Sequence, residues 1–588
     1  MPAAPLDVSS PLAPHPGAHR DAQKPEAERT LHVFQLKGTQ AQMGHQHGAM
    51  LRQMGHWESA LEYYPNMPAY MIGSAVPAHL MSTVGKVVIE RALSRMEGYR
   101  LEAFDARTRA FMRGLGHPER AAKYFFVMDV LQNLVGSTSR LGLKGFAYRM
   151  GTSIPPACTS MVTWGEGTED GRLLHARNFD FPGMGVWDAR PMVAFCTPDE
   201  GLRYGFVSTR GGDAVGVSAF NEAGLSITSH TRFHQDVVFK GVGVLDLIHE
   251  MICEATTIEE AIEIARRRPV ASSWALMISS GPQGRAVSLE VAGWRSHEVL
   301  PEAGEHSVSC TNRYRHPHMT PGEGTISPAF IANANGRESM ARQTGRKKGL
   351  GVAQMKALLA SNQDPAVPGH ERAVGSVVAQ PMTVQSVVVD PQRQSIHVSI
   401  GRAPTGDGPW VEVPWSWDDA PGQRTIDPQP EAQIDTGSRY DKGPEQRAMQ
   451  AFVEAIRLDQ QAGDHHEVVS WIRRATTLDP KEASYHFLSG GYALKAGLVD
   501  EAQAHFDLAL ELEPSEFYRG QALLWAARTA QLKGQQGAAR ALRASLAETT
   551  DPLLHKYREA AHEDAHAKYT PKDFASMHLT PHLVDAGI

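Results

Sequence analysis

From Cys158 to about residue 402 the chain runs in short strand-like segments, and their order is the strongest constraint on its fold. The runs CTSMVTW, LLHARNFDF, PMVAF, YGFVST, GVSAF and GLSIT are rich in β-branched and aromatic residues and are separated by turn residues. A helical stretch follows at about 243 to 268, where Thr257-Ile258-Glu259-Glu260 has the form of a capping box. Strand-like runs return as WALMIS, AVSLEVAGW and HSVSCTN, and again as TVQSVVVD and SIHVSIG after a second helical block at about 337 to 362. Strands, helices, strands, helices, strands is the order of an α+β sandwich and not of a regular βαβ alternation.

The flanks have other textures. Residues 1–30 form a Pro/Ala-rich leader without an apolar run, which reads as flexible and not as a secretory signal, so cytoplasmic residence is the expectation. His32 to Leu36 reads as a short strand, and the rest of 31–157 as a largely helical N-terminal segment. Residues 403–443 are rich in Pro, Gly and Asp and read as a domain linker. Beyond them, Gly490, Gly497, Ala502, Phe506, Ala509 and Pro514 stand at a spacing that resembles a tetratricopeptide repeat. Gly463, Ala475 and Pro480 hold equivalent places one repeat earlier, and Gly534, Ala539 and Pro552 recur with a slip of about three or four residues. The resemblance implies an all-α module of stacked units over 444–552, a tail at 553–588, and a groove for a protein partner.

Composition narrows the function. Lys+Arg 58 against Asp+Glu 65 leaves a net charge of -7, which gives no general attraction to nucleic acid or anionic membrane. The longest apolar runs, such as Tyr124-Phe125-Phe126-Val127-Met128, fall far short of the roughly 20 residues that span a bilayer. Cys158, Cys196, Cys253 and Cys310 include no CxxC pair, so neither a disulfide framework nor a cysteine zinc site is expected, and the last three read as inert buried thiols. His45 and His47 are two apart on a helix and do not share a face; no metal and no cofactor are expected.

The densest chemistry lies in Ala157-Cys158-Thr159-Ser160-Met161-Val162 and in the following Asp170-Gly171 to Asn178-Phe179-Asp180. A turn at Asp170-Gly171 between two alternating strands makes a hairpin that brings Cys158, Arg177 and Asp180 toward one end of a sheet. A guanidinium beside a thiol favours the reactive thiolate, and a carboxylate orients a proton-carrying group. The spacing names no general base.

This block resembles the nucleophile hairpin of the cysteine N-terminal nucleophile hydrolases: choloylglycine hydrolase, acid ceramidase, N-acylethanolamine acid amidase and the isopenicillin-N acyltransferase type. The upstream GTQAQMGHQHGAMLR resembles the opening of the pro-segment in the acyltransferase branch. The resemblance spans about 32 to 402 and implies a four-layer αββα core over 158–402, preceded by a pro-segment at 31–157. It further implies self-cleavage between Ala157 and Cys158, with the new α-amino group as base. The Cys158 thiol would then open a linear amide of a small-molecule substrate through an acyl-thioester that water or an amine resolves. By the same resemblance Arg177 and Asp180 position and polarise the thiol, Asn312 in Thr311-Asn312-Arg313 is an oxyanion donor, and Arg342 and Asn221 are further candidates. An α-amine of pKa about 8 is matched to a thiol of about 8.5, so proton exchange between them is easy near neutral pH. Asn221-Glu222-Ala223-Gly224 also reads as a turn between strands, Gly224 supplying a positive φ.

The chain departs from the pattern in three places. Ala157, after Pro155-Pro156, stands where the acyltransferase branch commonly has glycine; Gly165 to Glu169 lengthen the interval from Cys158 to Asp180; and His230-Thr231 replace a substrate-contacting asparagine of the bile-salt branch. Two rival readings stay open. In one, the core is inactive and the helical module is a scaffold for a protein partner. In the other, the chain is not processed and His175 serves Cys158 as a side-chain base.

Overall fold

The computed structural model describes residues 30–55, 63, 65–67, 85–142, 157–324, 326–429, 433–460, 465–575 and 579. The leader, apart from Thr30, and Pro155-Pro156 lie outside the described residues.

The alternating runs form two sheets. The strands, in chain order, are β1 (Leu31–Gly38), β2 (Thr159–Gly165), β3 (Gly171–Asp180), β4 (Pro191–Pro198), β5 (Tyr204–Thr209), β6 (Ser218–Asn221), β7 (Leu225–Thr231), β8 (Val270–Ser280), β9 (Arg285–Gly293), β10 (Arg295–Val299), β11 (Ser307–Cys310), β12 (Thr383–Asp390), β13 (Ser395–Ser399), β14 (Trp410–Pro414) and β15 (Gly422–Ile426). The larger sheet has the order β10-β9-β8-β7-β6-β5-β4-β1-β15 and the smaller β11-β2-β3-β12-β13-β14. Neighbours are antiparallel except β1 and β4, which run parallel.

The inner faces meet where Val193, Phe195 and Phe220 of the large sheet pack on Ile396, Val398 and Val413 of the small one. Helices α1 (Gln40–Met54), α2 (Lys86–Met96), α3 (Glu102–Leu115), α4 (Val127–Arg140), α5 (Val244–Glu254) and α6 (Ile258–Arg266) bury their apolar sides with the large sheet's outer face. Helices α7 (Pro328–Gly345) and α8 (Val352–Leu359) cover the small sheet, where Ala341, Met355 and Leu359 meet Met161, Leu174 and Val388. The layers are helix, sheet, sheet, helix, which is the α+β sandwich expected from the element order.

Two boundaries differ from the sequence reading. β1 is an interior strand of the large sheet, so residues 31–157 belong to the core and are not a separate body. Residues 403–443, read as a linker, supply β14 and β15. Their Pro- and Gly-rich composition suits strands that pair on one side only, since an edge strand needs half its backbone donors.

The GTQAQMGHQHG motif has a packing explanation. A Cβ on Gly44 would stand 2.1 Å from the Arg107 carbonyl oxygen, and one on Gly48 2.2 Å from that of Phe111, so these two glycines let α1 and α3 touch backbone to backbone. At the same crossing Arg107 Nε and Nη2 donate to both Asp213 oxygens at 2.8 and 2.7 Å, and His47 Nδ1 lies 2.9 Å from Oδ1. All three side chains are buried. Asp213→Ala is expected to destabilise the protein by roughly 3–5 kcal/mol, because it strands the Arg107 charge in the interior. Urea denaturation of the two proteins measures this, and a difference below about 1 kcal/mol would remove the claim.

The C-terminal helices pair as antiparallel hairpins: α9 (Pro444–Gln460) with α10 (His465–Leu478), α11 (Ala483–Lys495) with α12 (Val499–Leu512), and α13 (Glu516–Leu532) with α14 (Gln536–Ala547). Gly490 and Phe506, two of the repeat positions, face one another at the second crossing, where a Cβ on Gly490 would stand 2.8 Å from the ring. Gly463 lies outside the described residues. The stretch read as a tail continues as α15 (His555–Glu563) and α16 (Pro571–Ala575), and Gln521 Nε2 donates to Tyr557 Oη at 2.7 Å. No helix among the described residues is long and apolar enough to cross a membrane.

Candidate active site

The β2–β3 register pairs Thr159 with Asn178 and Ser160 with Arg177, which sets Cys158 at the strand end beside Asp180. Arg177 Nη2 points at the Cys158 sulfur from 3.7 Å, and the sulfur lies 3.9 Å from the Asp180 carbonyl oxygen. The guanidinium is held from three sides: Nη2 donates to the Ser229 carbonyl at 2.8 Å, Nη1 to Ser218 Oγ at 3.3 Å, and its carbon lies 4.8 Å from the centre of the Phe179 ring. Cys158 is 2% exposed; burial pushes its thiol pKa up, and Arg177 opposes the shift. In the uncut chain the sulfur is therefore a protonated thiol at neutral pH.

Asp180 Oδ1 accepts from Thr383 Oγ1 at 2.5 Å, while Oδ2 has no hydrogen-bond partner among the described residues. Burial raises its pKa from 3.8 to about 7, against the pull of Arg337, Thr383 and Arg177. The unfolded carboxyl ionises near 3.8 and the folded one near 7, so stability falls as pH rises between these values and stays lower above them. In a Cys158→Ala background, Asp180→Asn is thus expected to raise stability at pH 8 by up to about 4 kcal/mol and to leave it nearly unchanged at pH 3.5. Urea denaturation at the two pH values checks the sign, and an equal effect at both removes the assignment.

Asn312 joins the same site. Its Nδ2 donates to the Thr231 carbonyl at 3.1 Å and its Oδ1 accepts from Arg337 Nη2 at 2.9 Å. Arg337, on α7, was not found from sequence. It is fully buried and donates from Nη1 to the Cys158 carbonyl at 2.6 Å and Thr159 Oγ1 at 3.0 Å, and from Nε to Asn333 Oδ1 at 2.9 Å. The sequence signal available was the pair Asn333 and Arg337, four residues apart and so on one face of the helix.

Two candidates lie elsewhere. Arg342, five residues beyond Arg337 on α7, points away from the thiol and pairs with Glu302 at the surface. Asn221 donates to the carbonyls of Ile252 and Ala255 at 3.0 and 2.9 Å and accepts from the Leu225 amide, so it ties the β6–β7 turn to the end of α5. Gly224 in that turn has φ +80°. His175 faces the space between the sheets opposite Val162, bonded to Ser226, Ser279 and Thr228, and burial lowers its pKa to about 3; it has no contact with Cys158. His562-Glu563-Asp564-Ala565-His566 has the letters of a zinc helix, but α15 ends at Glu563 and Asp564 turns inward to Arg528. No group of three or more His, Cys, Asp or Glu among the described residues is placed to hold a metal.

Cys158 opens onto an apolar cavity lined by Met67, Phe125, Phe179, Phe181, Trp187, Val217, Leu245 and Trp274 among others. Among the described residues its lining includes no charged side chain. Met67, Phe125, Val127 and Met128 come from before the Ala157–Cys158 bond and the rest of the described lining from after it, so both parts of the chain build the wall.

No family model matches the chain, and no curated protein matches it. Among solved structures it is similar to an N-acylethanolamine-hydrolyzing acid amidase ortholog from Caenorhabditis elegans, at 15% identity and a TM-score of 0.29 over 40% of this chain and 93% of that one. It is also similar to a mutant of the conjugated bile acid hydrolase from Clostridium perfringens, at 12% identity and a TM-score of 0.30 over 47% of this chain and 99% of that one.

Proposed function

We propose that the protein is a cysteine amidohydrolase or acyltransferase that activates itself by cutting before Cys158 and acts on linear amides of uncharged, apolar acyl groups. The observation that carries the reading is that Cys158 lines an apolar cavity while its sulfur meets Arg177 and the Asp180 carbonyl, with Asn312 tied to its backbone through Arg337.

In the first stage the Cys158 sulfur attacks the Ala157 carbonyl carbon, the C–N bond breaks, and the acyl group passes from nitrogen to sulfur. Water then hydrolyses the thioester, leaving an Ala157 carboxylate and a free α-amine on Cys158. In the second stage that amine takes the thiol proton as the sulfur attacks the substrate amide, and delivers it to the departing amine. The unpartnered Oδ2 of Asp180 is an acceptor ready for the new ammonium, whose charge would favour the ionised carboxylate. In this reading Asn312, whose amide group also donates to the Thr231 carbonyl, is the oxyanion donor. The described lining carries no charge, which disfavours acyl groups with their own carboxylate, since burying an unpaired charge is costly.

Intact mass with N-terminal sequencing of the purified protein tests the reading. Two associated fragments, 1–157 and 158–588, the second beginning Cys158-Thr159-Ser160, are expected. A single uncut chain would remove the α-amine from the mechanism.

A further inference from the structure

The C-terminal helices bury a turn of the core, and that turn reaches the nucleophile. Residues 372–376 lie between α8 and β12. The Arg372 guanidinium stacks 3.7 Å from the centre of the Tyr518 ring on α13 and donates from Nη2 to Glu513 at 2.8 Å and from Nη1 to Asp364 at 2.8 Å. The Ala373 amide donates to Glu482, which caps α11. Ser376 Oγ donates to the Ala332 carbonyl at 3.1 Å and, its one proton spent, accepts from Tyr518 Oη at 2.8 Å. Gly375 sits at φ +109°, and a Cβ there would stand 2.4 Å from Tyr518 Oη, so the turn is shaped around this tyrosine.

On its other side the turn presses on α7 at two points. The Gly375 carbonyl accepts from Asn333 Nδ2 at 2.6 Å, and a Cβ on Gly336 would meet Ser376 at 2.4 Å. Asn333 Oδ1 in turn receives Arg337 Nε, and Arg337 grips the Cys158 carbonyl and Asn312. Every group in this series is buried, so each is held in one orientation by its neighbours.

We propose that the C-terminal helical module is a clamp on the nucleophile site, with Tyr518 as its positioning residue. Through the 372–376 turn and Asn333, Tyr518 fixes the Arg337 guanidinium against Cys158 and Asn312. The inference rests on the reading of Cys158 as a nucleophile.

The test is the rate of Cys158 alkylation by iodoacetamide against pH, followed peptide by peptide by mass spectrometry on the full chain, for wild type, Tyr518→Phe and Tyr518→Ala. Burial raises the Cys158 pKa and Arg177, with Arg337 behind it, opposes the shift, so loosening Arg337 is expected to slow alkylation at neutral pH in Tyr518→Ala and to move the midpoint of the profile upward. Tyr518→Phe keeps the ring over Arg372 and drops only the Ser376 bond, so a smaller shift in the same direction is expected; it decides the matter if the alanine variant does not fold. Profiles that superimpose on wild type, or a lowered melting temperature with an unmoved midpoint, would overturn the clamp. Wild type left uncut, together with shifted profiles in the variants, would overturn the proposed function and sustain the clamp; normal cutting with unmoved profiles would do the reverse.

Discussion

Cys158→Ala is expected to purify as one uncut chain and to turn over acyl amides roughly a millionfold more slowly than wild type, the size of loss that follows removal of a nucleophile. Both stages of the proposed chemistry use the same sulfur, so one substitution stops the cut and the turnover together. The variant should still fold: the thiol's polar contacts among the described residues are long, at 3.7 and 3.9 Å, and it faces an apolar cavity. An unchanged melting curve therefore separates lost chemistry from lost structure. Cys158→Ser refines the result. A hydroxyl keeps the geometry but is a far weaker acid than a thiol, so slow cutting is expected over days. Cutting of the alanine variant at the wild-type rate would mean a contaminating protease makes the fragments.

Arg337→Ala carries the second large effect. It leaves four acceptors without their donor: the Cys158 carbonyl, Thr159 Oγ1, Asn312 Oδ1 and Asn333 Oδ1. It also removes the strongest charge opposing the burial of Asp180. Losses of roughly 3–5 kcal/mol in stability and at least a hundredfold in cutting rate are expected. Arg337→Lys restores a charge but not the planar fork that reaches Cys158, Asn312 and Asn333 at once, so it should recover part of the stability and little of the rate. Urea midpoints and a time course of fragment appearance read the two effects; a wild-type time course in either variant would separate Arg337 from the chemistry.

What was legible in the sequence was local. Cys158, Arg177 and Asp180 sit on one hairpin, and a turn between alternating strands determines which residues share its end. Arg337 arrives from a helix about 180 residues away, and nothing in the alternation of β2 or β3 points to it. The arginine chosen instead, Arg342, is on the right helix but five residues on, which turns it about 140° from Arg337 at 3.6 residues per turn. The same limit hid β15: Gly422–Ile426 has no apolar alternation of its own and becomes a strand only because β1 offers it a ladder. The α1 motif was visible as a string of small residues, yet its reason lies in the backbone of α3, which no spacing within α1 reveals.

The position of β1 bears on timing during synthesis. Its partners are β4, about 160 residues downstream, and β15, where Leu31 meets Ile426 about 400 residues later. At roughly 5–20 residues per second, β1 emerges from the ribosome and waits roughly half a minute for the first neighbour at the slow end of that range, and more than a minute for the second. Arg337 and Thr383, which complete the surroundings of Cys158 and Asp180, are translated inside that same interval. A newly made thiol at position 158 thus spends its first moments in an unfinished site, whose surroundings are complete only once about two thirds of the chain has been translated.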